Sequence, residues 1–215
     1  MSNSIASVLL IVIIGREFGI EDLGLFGLWI TLTMLTSQII NFGTSVGIYG
    51  YVKSNNSEKI ILALVYSSIS MVILGLLIFI IFQLSQKYYI QLQNFNLALI
   101  TTFALSISLQ KSCRSAFTLI DKLTVYHQIM IIKAVLYFIL CILLISTHRE
   151  LYFLFLLSTI IEFFVAIVLL VSIFYFAGWR QFRYKFSDLS RFLSHSFKGF
   201  WAHFSIEANG KVDMV

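Results

Sequence analysis

Apolar residues fall in long blocks along this chain, not at the three- and four-residue spacing of an amphipathic surface helix. Blocks of about 20 apolar residues match the roughly 30 Å hydrocarbon core of a bilayer. The pattern predicts spans over residues 2–20, 23–49, 60–82, 95–119, 126–146 and 151–177, with a seventh opening near Gly199. In lipid only helices and closed barrels satisfy their backbone groups. Barrel strands alternate and are about 10 residues long, and these blocks do neither. The expected fold is therefore all-α: a polytopic transmembrane helix bundle of six spans plus the start of a seventh. Residues 1–177 form the transmembrane lobe, 178–198 a basic linker at the membrane surface, and 199–215 the start of span seven.

Composition strengthens this reading. Of 215 residues, 59% are hydrophobic and 12% charged, against about 25% charged in a soluble domain. The chain contains no proline, so any kink is expected to arise at glycine. The first apolar run, Ile5 to Ile14, has no basic residue before it and no small-residue cleavage site after it, so no cleavable signal is expected. Cys113 and Cys141 fall within spans and read as packing residues.

The formal net charge of +5 suggests orientation in a membrane more than nucleic-acid binding, because the basic residues gather in short loops. Ten of them, Lys53, Lys59, Lys111, Arg114, Lys122, Arg180, Arg183, Lys185, Arg191 and Lys198, fall in or near loops on one side. Arg16, Lys87 and Arg149 fall on the other. The positive-inside rule places the N-terminus and the even-numbered loops in the cytoplasm. Aromatic residues alternate with basic ones from Trp179 to Phe186, as expected of a segment resting on anionic lipid.

Polar groups at membrane depth are expensive and call for a partner or an aqueous cavity. Thr31, Gln38, Asn41 and Ser45 lie within about 80° of one another on a helical wheel. They read either as hydrogen-bonding glue between helices or as a cavity wall. Gly43 and Gly47 form a small-xxx-small pair suited to close helix contact. Arg16 reads as a snorkelling anchor or a substrate contact. Ser106, Gln110, Lys111 and Arg114 form a polar stripe, either a cytoplasmic helix end or a cavity lining. Glu162 sits near the middle of its span and requires a neighbouring cation or a proton; Lys133 is the candidate partner. Arg16, Lys111, Arg114 and Lys133 outnumber Glu162, and a cavity lined by them attracts a pyrophosphate or an acidic sugar. No catalytic, metal-binding or cofactor motif is found.

Three motifs carry a family likeness. The first is Arg16-Glu17-Phe18-Gly19, then Glu21-Asp22-Leu23-Gly24-Leu25-Phe26-Gly27, closing on Asn41-Phe42-Gly43. The second runs from Arg114-Ser115-Ala116-Phe117 to Asp121-Lys122, and the third from Ser196 to Asp213. Together they resemble the polysaccharide flippases, among them the Wzx-type O-antigen flippases, within the larger MATE-like group. The resemblance implies that this chain is the N-terminal lobe of a two-lobed transporter that opens alternately to either side of the bacterial inner membrane. The implied substrate is an undecaprenyl-pyrophosphate-linked oligosaccharide of lipopolysaccharide or another polysaccharide. The implied partners are membrane lipids, a polysaccharide polymerase and glycosyltransferases, with no cofactor. Expected substrate contacts are Arg16, Gln38, Asn41, Lys111, Arg114 and Lys133, and expected ion-coupling residues are Glu162 and Asp213. A MATE-like drug or cation antiporter is the runner-up, and it requires a cavity of the opposite charge. A non-transporting membrane subunit is the third reading.

Overall fold

The structure is a computed structural model and describes residues 12–52, 57–86, 96–147, 151–178 and 186–212. Every element among them is an α-helix. A short helix α1 covers 12–17. It is followed by α2 (Ile20–Asn41), α3 (Thr44–Tyr51), α4 (Ser57–Gln86), α5 (Leu97–Leu119), α6 (Leu123–Thr147), α7 (Leu151–Ala177) and α8 (Phe186–Val212). Four stretches are long and apolar enough to cross a membrane: Ile20–Tyr51, Glu58–Ser85, Leu123–Ile145 and Leu151–Ala177.

Helix α5 was expected as a span with a polar stripe in its last third, and it is not among these four. Ser and Thr recur along it, and Thr101, Ser106, Ser108, Ser112 and Ser115 are buried. It packs against α2, α3, α4, α6 and α7. A helix enclosed on this many sides needs small side chains so that neighbours can approach, and it presents little surface to lipid. Its start is fixed by Asn96, whose side chain accepts a hydrogen bond from the Leu99 amide at 3.3 Å. Its end is a Schellman turn. Asp121 is left-handed (φ 55°), the Lys122 amide bonds the Phe117 carbonyl at 2.9 Å, and the Asp121 amide bonds that of Thr118 at 3.2 Å.

The enclosing helices are apolar on their outer faces. Helix α6 exposes Ile131, Ile132, Val135, Leu136, Ile139 and Leu143, which is the surface a lipid-facing helix presents. At one end of the bundle Trp29 of α2 stacks on Phe155 of α7 (4.6 Å, 11°) and tilts against Phe103 of α5 (4.8 Å). At the other end Tyr66, Phe117, Tyr126, Leu169 and Phe192 share one buried cluster. Cys113 belongs to that cluster, whereas Cys141 packs with Ile14, Phe26 and Leu154. The two cysteines are free and buried in different clusters, consistent with packing roles.

The expected single span over 23–49 is two helices. Phe42 (φ 41°, ψ 38°) and Gly43 (φ 72°, ψ 10°) are both left-handed, and the chain changes direction there without proline. The second departure is α8. It runs unbroken through Gly199, so residues 186–198, expected in the linker, are the first half of the helix expected to begin at 199.

Gly43 and Gly47 give α3 the close helix contact expected of them. A Cβ on Gly43 would collide with the carbonyl of Ser196 and the amide of Phe200, and one on Gly47 with the Ser196 side chain. Gly199 of α8 returns the fit against Val46. Phe42 stacks on Phe200 at 5.0 Å across the same seam. Gly24 lies in a different setting, because a Cβ there meets nothing. Gly47→Val is expected to destabilise the protein by about 1–3 kcal/mol through overpacking. Gly24→Ala is expected to stabilise it by about 0.5–1 kcal/mol through backbone entropy. Thermal unfolding of the two variants in one detergent checks the opposite signs.

Candidate functional site

The break between α2 and α3 leaves backbone groups that a continuous helix would satisfy. Asn41 takes over part of that role. Its Oδ1 accepts from the Ser45 hydroxyl at 3.2 Å and from the Ser45 amide at 3.5 Å, and its Nδ2 donates to the Ser108 carbonyl of α5 at 3.4 Å. The broken helix is thus tied to the central polar helix. Deeper in the bundle, Ser108 Oγ donates to the Ser37 carbonyl (2.9 Å), Ser67 Oγ donates to Ser112 Oγ (2.9 Å), and the Thr44 and Ser112 hydroxyls lie 3.3 Å apart. These bonds join α2, α3, α4 and α5 in one layer of hydroxyls.

Beside this layer lies a cavity of about 710 Å³. Helix α2 contributes Gln38 and Asn41, and α3 contributes Ser45, Val46 and Tyr49. The last turns of α5 contribute Lys111, Arg114, Ser115 and Thr118. Leu123 and Tyr126 of α6 and Phe200 of α8 complete the lining. Two cations project from one wall, and none of the lining residues is acidic. Arg114 and Gln38 are exposed to this space and Asn41 is buried in its wall. The arrangement can attract an anion and offer it charge-assisted hydrogen bonds from the Arg114 guanidinium and the Lys111 ammonium. Among the described residues no cluster of three His, Cys, Asp or Glu could hold a metal.

Four of the six residues expected to touch substrate, Gln38, Asn41, Lys111 and Arg114, therefore share one cavity. Arg16 does not join them. It is exposed at the end of α1, and the rise of α2 from Ile20 to Gln38 alone is about 27 Å. Lys133 lies deeper than the cavity and is paired. Its Nζ is 2.7 Å from Glu162 Oε2, so the partner inferred from membrane depth is the partner found. Gln110 completes a triad. Its Nε2 donates to Glu162 Oε2 (2.6 Å) and to the Glu162 carbonyl (3.0 Å), while its Oε1 accepts from Lys133 Nζ (3.3 Å). Asp213 lies outside the described residues.

Thr31 is neither wall nor interhelical glue: it is exposed and its hydroxyl bonds the Gly27 carbonyl of its own helix at 2.8 Å. Asn41 serves both roles. Lining residues that sequence reasoning did not select for the site are Gly43, Val46, Tyr49, Ser115, Thr118, Leu123, Tyr126 and Phe200. A signal existed for Ser115 and Thr118, which continue the Gln110–Lys111–Arg114 stripe at helical spacing. Tyr126 and Phe200 belong to helices whose packing the sequence pattern does not set, so nothing in the sequence pointed to them.

No protein-family model matches the sequence, and no curated protein or solved structure matches it.

The triad joins three helices, α5, α6 and α7. Its members are mostly enclosed, with 16% of the Lys133 side chain and 15% of that of Glu162 exposed. Lys133→Met leaves an uncompensated carboxylate and is expected to destabilise the protein by about 3 kcal/mol. The double variant Lys133→Met/Glu162→Gln carries no charge there and is expected to recover most of that loss. Comparison of the two by unfolding in detergent reads the coupling.

Proposed function

We propose that this chain is the N-terminal lobe of a flippase that carries an undecaprenyl-pyrophosphate-linked oligosaccharide across the bacterial inner membrane. In this reading the α2–α3 pair, α4, α5, α6 and α7 supply five crossings, the span expected over residues 2–20, of which only 12–20 are described, supplies another, and α8 opens the seventh. The observation that carries the proposal is the cavity at the broken helix, which holds Lys111 and Arg114 and has no acidic lining residue. Such a space favours a pyrophosphate over a cationic drug, and it weighs against a MATE-like cation antiporter. Discontinuous helices beside a polar cavity are a recurring feature of transporter binding sites. The cavity lies at the end of the bundle that holds the α5–α6 turn, between Leu119 and Leu123. By the positive-inside rule that end faces the cytoplasm, where lipid-linked sugars are assembled. The headgroup enters there while the lipid tail stays among acyl chains, and a second lobe closes the space from the other side.

Binding of inorganic pyrophosphate to the purified protein tests the site. Arg114→Ala removes a charge-assisted contact and is expected to weaken binding by about 10- to 100-fold. Arg16→Ala, far from the cavity, is expected to leave it within about twofold of the parent. Equal losses in the two variants, or no binding by the parent protein, would reject the cavity as the headgroup site.

A further inference from the structure

The cavity is larger than an anion alone needs. Sites of about 300–1,000 Å³ hold drug-sized ligands, and the space beside Lys111 and Arg114 measures about 710 Å³. Its lining also changes character from wall to wall. The cations stand on α5, whereas α3 and α8 contribute aromatic rings, Tyr49 and Phe200. Tyr126 lines the space as well, but it is buried in the core cluster beside Phe117 and offers little of its face.

Packing places both rings. Phe200 is half-buried and stacks on Phe42 at 5.0 Å, where the backbone of α8 lies against Gly43. Tyr49 follows Ser45 and Val46 by four and three residues, so the three share one face of α3. Its side chain is 43% exposed. A tyrosine near a helix end commonly anchors a chain at the membrane surface, but this ring borders a cavity that holds two cations.

Contacts between α3 and α5 set the levels of these groups. The Thr44 and Ser112 hydroxyls lie 3.3 Å apart. Further along, Ile48 and Val52 share a cluster with Cys113, Ala116 and Phe117, so the two helices run side by side in the same sense. From the level of Thr44 and Ser112, Arg114 is about 3 Å further along α5 and Tyr49 about 8 Å further along α3. Lys111 and Gly43, against which Phe200 is seated, are each one residue before that level. By helical rise the cations therefore fall between the two rings, with Tyr49 about 5 Å past Arg114 toward the α5–α6 turn.

The polar groups around the rings indicate what kind of ligand fits. Gln38 exposes its side chain to the cavity. The Ser45 and Thr118 hydroxyls donate to Asn41 Oδ1 and to the Arg114 carbonyl, and each can still accept. The negative face of an aromatic ring attracts polarised C–H groups. A saturated ring with C–H groups on its faces and hydroxyls around its rim matches both features. With the cavity read as an anion site, we infer that Tyr49 and Phe200 form a second subsite beside the cations, which seats the sugar ring that bears the anion and gives the cavity its preference for a glycosyl phosphate over a simple phosphate ester.

Calorimetry on the purified full chain compares glucose 1-phosphate with methyl phosphate, two monoesters of equal charge. The parent protein is expected to bind the sugar phosphate about tenfold more tightly. Tyr49→Ala and Phe200→Leu are each expected to lose most of that preference, while Tyr49→Phe retains a ring and is expected to keep it. Arg114→Ala is expected to weaken both ligands and to leave their ratio within about twofold of the parent. Equal binding of the two esters by the parent protein overturns the ring subsite and leaves the anion reading standing. Absence of binding by either ester overturns both. A preference unchanged in Tyr49→Ala and Phe200→Leu overturns the assignment to these residues. Tighter binding of adenosine 5′-monophosphate than of glucose 1-phosphate overturns the sugar in favour of a flat base. Should Phe200→Leu fail to fold, Tyr49→Ala against Tyr49→Phe decides the matter, because the Tyr49 side chain is among the exposed ones.

Discussion

Hydrocarbon offers no hydrogen bonds, so a helix that carries polar groups along its length must find all its partners in protein. Helix α5 imposes this demand on the rest of the bundle. Its serines and threonines spend their hydroxyls on carbonyls of their own helix and on α2, α3 and α4. The apolar helices α4, α6 and α7, with the α2–α3 pair, close around it. Where the enclosure stays open, at the last turns of α5, the polar stripe becomes the wall of a cavity. Glue and binding site are thus two stretches of one helix, distinguished by whether a neighbour covers them.

The broken helix follows from the same demand. A helix that continued straight past Asn41 would hold its backbone groups internally and would leave Asn41 nothing to satisfy there. Asn41, Phe42 and Gly43 turn the chain, and Asn41 reaches both α3 and α5 to satisfy what the turn releases. Gly43 also lets α8 come to backbone contact. One residue without a side chain therefore bends a membrane helix and brings in the neighbour whose Phe200 lines the site.

Much of this was legible in the sequence, for reasons specific to each element. Block length and composition set the spans of α4, α6 and α7, because lipid rewards long runs that are almost wholly apolar. The Lys133–Glu162 pair was legible because an isolated charge at mid-span is so unfavourable that the nearest opposite charge of similar depth had to be its partner. Gln38, Asn41, Lys111 and Arg114 were legible as polar faces, though not as residues of a single cavity, since periodicity gives a direction on each helix and no rotation between helices. The break at Phe42–Gly43 was legible in part: glycine was the expected place for a kink, but a phenylalanine in left-handed geometry follows from tertiary contacts and has no local signal. The separation of Arg16 from Lys111 and Arg114 was legible in the count of basic residues by loop, which set them on opposite sides, and only the list of substrate contacts implied by the resemblance had joined them. The reach of α8 back to Phe186 was hidden by its charges, which make the segment look like a loop.

The enclosure of α5 also bears on how the chain is made. A segment this rich in hydroxyls, with Lys111 and Arg114 near its end, gains little by leaving the translocation channel for lipid on its own. Helices α2 and α4 precede it in synthesis and together cover much of its surface, so they can receive it as it emerges. Helix α7, which covers another large share, is made two helices later. Until it arrives, Gln110 has no carboxylate to bind, and Lys133 waits without its counter-ion. The polar contacts of Gln110 and Lys133 are therefore complete only once Glu162 joins them.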